Sequence, residues 1–219
     1  MTDAFDGLDE YLRPHLGSSA LLVIDMQNDF TDDGPLPVPG TDRVLPRLTE
    51  LVEAYRNSSK PIVHVVRLYD GDDVDLVRRT AIARDNAAIA RPGSRGSQIV
   101  DGLLPRDAPR LDSELLLGGA LQPVGAHEAV LWKPRWSAFH RTGLDAHLAA
   151  LKVDTVVVAG CNFPNCPRAT LFDASERDYR LVLAADATSQ ATPDRLADAQ
   201  SIGVVPMPVI DLIEHVRAC

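Results

Sequence analysis

Three residues supply an acid, a cation and a thiol, each at or shortly after the end of a short apolar run. Asp25 follows Leu21-Leu22-Val23-Ile24, and Lys133 follows Val130-Leu131-Trp132. Cys166 closes the stretch Gly160-Cys161-Asn162-Phe163-Pro164-Asn165 that follows Thr155–Ala159. A thiol becomes an effective nucleophile once a base takes its proton, and a nearby cation tunes both groups. Together the three types are an inventory for covalent catalysis. Pro167 marks a helix start, because proline suits the first helical position. Cys166 would then sit at the positive end of a helix dipole, which favours the thiolate and predicts a lowered thiol pKa. Each residue alone has a plainer reading: a capping aspartate, a lysine snorkelling from a rim, a buried structural cysteine. Cys161, directly after an apolar run, fits that last description better than Cys166.

The elements that must position these groups are legible as alternating runs. Ala20–Ile24, Ile62–Val66, Ala129–Trp132, Thr155–Ala159, Leu181–Ala184 and Val204–Val205 are short, apolar on both faces and rich in β-branched residues. Such runs suit strands covered by helices on both sides. Helical spacing appears over Thr41–Tyr55, Leu144–Leu151, Pro167–Arg177, Pro193–Gln200 and Val209–Val216, and less clearly over Asp73–Ala90. Thr192 before Pro193 reads as an N-cap. The alternation predicts an α/β fold: a three-layer α/β/α sandwich around a six-stranded parallel sheet, Rossmann-like in architecture. In such sheets ligands bind beyond the carboxyl ends of the strands, where Asp25 and Lys133 fall.

The 219 residues suit a single domain, with residues 1–17 as an N-terminal extension. Residues 91–125, rich in Gly, Pro and charge, are too long for an ordinary connection and are expected to form a loop over the active face. Apolar residues make up 45% and charged residues 24%, the proportions of a globular domain. The 31 acidic residues outnumber the 22 Lys and Arg, and no basic run occurs, which argues against nucleic acid as a partner. No apolar stretch reaches membrane-spanning length, and Met1–Leu16 lacks the pattern of a secretory leader. Three cysteines without metal-type spacing point to a reducing setting, so the expected location is cytoplasmic.

These segments resemble the isochorismatase-like cysteine hydrolases, a family that includes nicotinamidases, carbamoylsarcosine, ureidoacrylate and maleamate amidohydrolases, and streptothricin hydrolase. The resemblance runs from about Ala20 to Val209. It rests on Leu-Leu-Val-Ile-Asp25-Met-Gln-Asn-Asp-Phe30, Pro92-Gly93-Ser94, Lys133-Pro-Arg-Trp-Ser-Ala-Phe139, Thr142-Gly-Leu144, and Gly160 through Thr170 with Asp173-Ala174. It implies a catalytic triad of Asp25, Lys133 and Cys166. It also implies a cis peptide at Cys161–Asn162 and an oxyanion hole made by the amides of Asn162 and Cys166. The implied reaction is hydrolysis of an amide-like C–N bond of a small molecule through a Cys166 thioester. No cofactor is implied, and a homo-oligomer, dimer or tetramer, is expected by analogy.

The sequence departs from the family in places. The metal-binding nicotinamidase branch carries Asp-x-His after the second strand, where this chain has Val66-Arg67-Leu68-Tyr69-Asp70-Gly71. This argues against nicotinamidase activity, and no metal is expected. His64 reads as a packed or hydrogen-bonded core residue. Phe30, Trp136, Phe139 and Phe163 flank the catalytic positions and are candidates to bind substrate. Arg67, Arg135 and Arg168 are candidates to meet a carboxylate, although each alone reads as a solvated surface residue. Asp70, Asp72, Asp73 and Asp75 form an acidic cluster that could steer a cationic substrate or simply be a solvated loop.

Three alternatives remain at this point. A vinyl-ether hydrolase of the isochorismatase type does not require the cysteine. A non-catalytic binding protein on the same scaffold would have no need of all three triad residues. A dinucleotide binder would need G-x-G-x-x-G after the first strand, where Asp25-Met-Gln-Asn-Asp stands instead.

Overall fold

A computed structural model of the protein describes residue 5 and residues 7–218; Cys219, expected to be a bystander, lies outside them. Seven strands form one sheet: β1 Ser19–Ile24, β2 Ile62–Val66, β3 Gln122–Gly125, β4 Glu128–Trp132, β5 Thr155–Gly160, β6 Arg180–Thr188 and β7 Val204–Met207. Their order is β3-β4-β2-β1-β5-β6-β7. Every pairing is parallel except that of β3 with β4. The expected six-stranded parallel sheet is therefore one strand short. Pro123 and Gly125 disguise β3, and only its alternate residues are buried. Proline is tolerated there because β3 is an edge strand.

The unbroken apolar strands serve two cores. Leu21 and Val23 of β1 face one layer, while Ala20, Leu22 and Ile24 face the other. The first layer holds α1 Thr41–Asn57 and α7 Val209–Ala218. Val44, Leu48, Leu51, Val52 and Tyr55 recur on the buried face of α1, as their helical spacing requires. The segment after β2 carries α2 Leu76–Arg79, continued by a π turn at Thr80–Arg84. Neither buries a side chain, so the long helix suggested over 73–90 has no face to dock and breaks up. A short α3 spans Ser113–Leu117. The opposite layer holds α4 Leu144–Ala150, α5 Cys166–Ser175 and α6 Pro193–Gln200. Thr192 does occupy the N-cap of α6 in extended conformation, but its hydroxyl makes no capping bond.

Residues 91–125 are more structural than expected. Leu103, Leu111, Leu116 and Val124 are core residues, and the segment contains α3 and β3. Asp29 fastens its start, accepting from the Ala90 amide at 2.6 Å. His64 lies inside β2 and its Nε2 stands 2.7 Å from Glu128. Arg56 donates to both oxygens of the same carboxylate at 2.9 and 2.8 Å. Burial pushes the Glu128 carboxyl up, but the His64 and Arg56 contacts outweigh it and hold it below the usual range.

Gly160 closes β5 against β1. Its φ is +115°, and a Cβ there would lie 2.2 Å from the Ile24 carbonyl oxygen. Both the dihedral and the contact exclude a side chain. Gly160→Ala is expected to cost about 3 kcal/mol or more, because the obstacle is backbone that cannot swing aside. Urea unfolding would register this as a lower midpoint with an unchanged slope, and a midpoint equal to wild type would refute it.

Candidate active site

β1 is the point where the strand order reverses: the chain leaves it towards β2 and later crosses to β5 on its other side. The crevice beyond the carboxyl ends of β1, β2, β4 and β5 is the ligand position of such sheets. Register brings these ends level, with Ile24 beside Val65 and Gly160, and Val66 beside Trp132. The next residues along each strand are Asp25, Arg67, Lys133 and Cys161.

Asp25 leaves β1 with φ +52°, a left-handed conformation that aspartate tolerates better than most residues. It is 4% exposed, and its Oδ2 accepts from Lys133 Nζ at 2.9 Å. Lys133 has no exposed surface at all. Its chain does not snorkel outwards; it runs inwards to the carboxylate. Asp25 Oδ1 is buried without a hydrogen-bond partner. Cys166 begins α5, with Pro167 in the first turn, as the sequence suggested. Asp25 and Cys166 line one cavity of about 50 Å³, and Lys133 lies behind it, bonded to Asp25.

The electrostatics differ from expectation in one respect. The Cys166 thiol is pushed up, not down: burial is the largest cause, the Asp25 carboxylate adds to it, and Lys133 and Arg67 oppose it. Burial and the neighbouring Asp25 thus favour the thiol over the thiolate. Cys161 is pushed higher still by burial, and its Sγ donates to the Asp25 carbonyl at 3.2 Å. That bond fits a structural role.

The Cys161–Asn162 peptide is cis. In the turn before α5, the Phe163 amide donates to Ser189 at 2.9 Å, that of Asn165 to Asn162 at 3.0 Å, and that of Ala169 to Asn165 at 2.9 Å. The amides of Asn162 and Cys166 take no part in these bonds. Both residues line the cavity.

Of the four aromatic candidates, Phe30 and Trp136 line this cavity. Trp136 also lines an open, mainly apolar depression just outside, together with Leu76 and Val77. Phe139 and Phe163 are not among the lining residues. Phe139 packs near Tyr179 with the Arg177 guanidinium 5.0 Å from its ring centre. Phe163 is 1% exposed, embedded in the α4–α6 core. Closeness in sequence to Lys133 and Cys166 placed both beneath the site, not in it.

The acidic cluster is not a unit. Asp70 and Asp72 are exposed, whereas Asp73 is paired with Arg135 and Arg141. Asp75 is buried against Arg67. Two of the four charges are thus already neutralised, which weakens any steering field. Arg168 lies over the Phe172 ring at 5.6 Å. Tyr69, Asp75, Val77 and Arg78 contribute to the cavity wall. None of the described lining residues comes from 91–125, so the expected cover over the active face is supplied by the segment after β2.

Sequence reasoning offered Arg67 only as a candidate to meet a carboxylate and missed its place beside Cys166 and Asp25. It is 3% exposed, with Nη2 3.7 Å from Cys166 Sγ and Nε 4.0 Å from Asp25 Oδ2. The rule that singled out Asp25 and Lys133, a charged residue directly after an apolar strand, also picks out Arg67 after Val66. Gln27 was missed too. Its Oε1 accepts from the Arg67 amide at 2.7 Å, and its Nε2 donates to the Arg67 carbonyl at 2.8 Å and to Ser97 at 2.7 Å. Among the described residues, no group of three or more His, Cys, Asp or Glu could hold a metal ion. No described helix is long and apolar enough to cross a membrane.

This fold has known counterparts. The isochorismatase domain family matches residues 19–204. An Arabidopsis thaliana protein described as a probable inactive nicotinamidase is 34% identical over 195 residues, covering 85% of this chain and 90% of that one. Ureidoacrylate amidohydrolase RutB of Methylorubrum extorquens is 32% identical over 196 residues, covering 83% and 73%. The crystal structure of an isochorismatase family protein from Desulfovibrio vulgaris superposes with a TM-score of 0.76 at 32% identity, covering 92% of this chain and 99% of that one. The chain belongs to the isochorismatase family of hydrolases.

Proposed function

We propose that the protein is a cysteine amidohydrolase that cleaves a C–N bond, other than a peptide bond, in a small molecule. One observation carries this reading: the Asp25 carboxylate, bonded to buried Lys133 at 2.9 Å, lines the same small cavity as the thiol of Cys166 at a helix start. The amidohydrolase named among the relatives supports it.

In the first half-reaction Asp25 takes the thiol proton and the Cys166 sulfur adds to the substrate carbonyl carbon. The carbonyl oxygen becomes an oxyanion held by the amides of Asn162 and Cys166. Pro167 has no N–H to offer. As the tetrahedral centre collapses, the C–N bond breaks and Asp25 returns its proton to the leaving nitrogen. In the second half-reaction Asp25 takes a proton from water, whose oxygen adds to the thioester carbon. The C–S bond then breaks, the proton returns to sulfur, and the carboxylic acid leaves. Two donors preorganised on an oxyanion are worth about 10²–10³ in rate each.

The cavity bounds the substrate. About 50 Å³ accommodates little beyond the scissile group, so any larger body must lie towards Phe30, Trp136 and the outer depression. Buried, unbridged Cys161 and Cys166 are consistent with a reducing compartment, and we place the enzyme in the cytoplasm. We take a homo-oligomer as its working state. A panel of small primary amides, ureido acids and N-carbamoyl compounds, assayed for release of ammonia or amine, tests the reading. Turnover of at least one class is expected, and turnover confined to vinyl ethers would overturn it.

A further inference from the structure

The proposed reaction places a negative charge on the Cys166 sulfur, and the triad alone does not say what receives it. Lys133 is committed to Asp25 through a 2.9 Å bond to Oδ2. The cation with a side-chain contact to the sulfur is Arg67, whose Nη2 lies 3.7 Å from Sγ. Its Nε stands 4.0 Å from Asp25, and its Nη1 stands 3.2 Å from Asp75 without a hydrogen bond to it. One buried guanidinium thus spans the nucleophile, the base and a second carboxylate. Gln27 fixes the backbone of Arg67 from both sides, and the Tyr69 ring lies beneath its guanidinium, centred 5.8 Å away.

We propose that Arg67 is a fourth catalytic residue, the cation that takes up the charge of the Cys166 thiolate, with Asp75 setting how much of its positive charge the sulfur receives. The bookkeeping of charge supports this. With the thiol protonated, Asp25 and Asp75 balance Lys133 and Arg67. Moving the proton from Sγ to Asp25 leaves the sum at zero but shifts negative charge away from Lys133. Without Arg67 that charge would be opposed only by Lys133, which is bonded to Asp25, in a buried site where Coulomb terms are strong. An arginine keeps its proton throughout, so it can hold the thiolate but cannot compete with Asp25 as the acid. Asp75 shares the guanidinium and weakens its hold on the sulfur.

The inference rests on the amidohydrolase reading for its catalytic meaning, but its test reads the sulfur itself and needs no substrate. The charged or titratable groups around Cys166 are Asp25 after β1, Arg67, Tyr69, Asp75 and Arg78 after β2, Lys133 after β4 and Cys161 after β5. Thiolate formation would be followed by ultraviolet absorbance against pH. Each spectrum is taken as a difference from the same background carrying Cys166→Ala, which cancels tyrosinate and Cys161. Arg67→Met should raise the midpoint by about one pH unit or more, or remove the thiolate signal over the folded range, and Arg67→Lys should restore part of the shift. Asp75→Asn, a near-isosteric change that keeps the fold accessible if Arg67→Met does not, should lower the midpoint. A midpoint unmoved in Arg67→Met, or unmoved or raised in Asp75→Asn, would overturn the proposal. So would an unmoved profile with a raised KM for anionic substrates alone, which would make Arg67 a substrate anchor instead.

Discussion

Asp25→Asn is expected to lower kcat by about 10³-fold or more and to destabilise the protein at the same time. The two losses have separate causes. The amide cannot accept the thiol proton, and general-base contributions are typically ~10²–10⁴ in rate. Lys133, with no exposed surface, loses the carboxylate 2.9 Å away, and an unpaired buried charge costs about 3–5 kcal/mol. For a chain of this size that is a fall in Tm on the order of 10 °C. Asparagine tolerates the left-handed backbone at position 25 as well as aspartate does, so the effect is one of charge and not of φ. Steady-state assay and thermal unfolding on the same sample separate the two losses. Unchanged Tm with reduced kcat would mean that Lys133 finds another partner, and unchanged kcat would remove Asp25 from the chemistry.

Cys166→Ala should show the opposite balance. Loss of the nucleophile is expected to reduce kcat by about 10⁴-fold or more, since the other groups have nothing to activate. Stability should stay within about 1 kcal/mol, because the change removes one small buried atom and no paired charge. The substitution also relieves Asp25 of a group it must deprotonate. Wild-type turnover in this variant would favour direct attack by water, as in a vinyl-ether hydrolase.

Much of the fold was readable because periodicity reports burial directly. Six apolar runs became six strands, since a strand covered on both faces cannot alternate. The seventh, β3, escaped because an edge strand with one buried face and a proline resembles a loop. Residues 73–90 misled in the opposite direction: helical spacing there had no partner face, and the segment broke into short turns. Within the site, the positions of Asp25, Lys133 and Cys166 followed from a simple rule about strand ends and helix starts. Their electrostatics did not. The sequence shows that a helix begins at Cys166, but it does not show how completely water is excluded, and that exclusion decides the direction of the thiol shift. Arg67 was a candidate for a substrate carboxylate but not for a contact with the nucleophile, for a related reason: an arginine is read as solvated by default, and only the folded chain reveals Gln27 and Asp75 holding it inside. Phe139 and Phe163 show that closeness in sequence to a site residue does not put a side chain in the site.

The covalent step is the claim on which the mechanism depends. The most direct test is to mix enzyme with a turned-over amide, quench in acid within the first turnovers, and digest for mass spectrometry. The Cys166 peptide should gain the mass of the substrate acyl group, labile to hydroxylamine as a thioester is, and the adduct should be absent from Cys166→Ala. Steady turnover with the Cys166 peptide unmodified, or with the acyl group on another side chain, would contradict it.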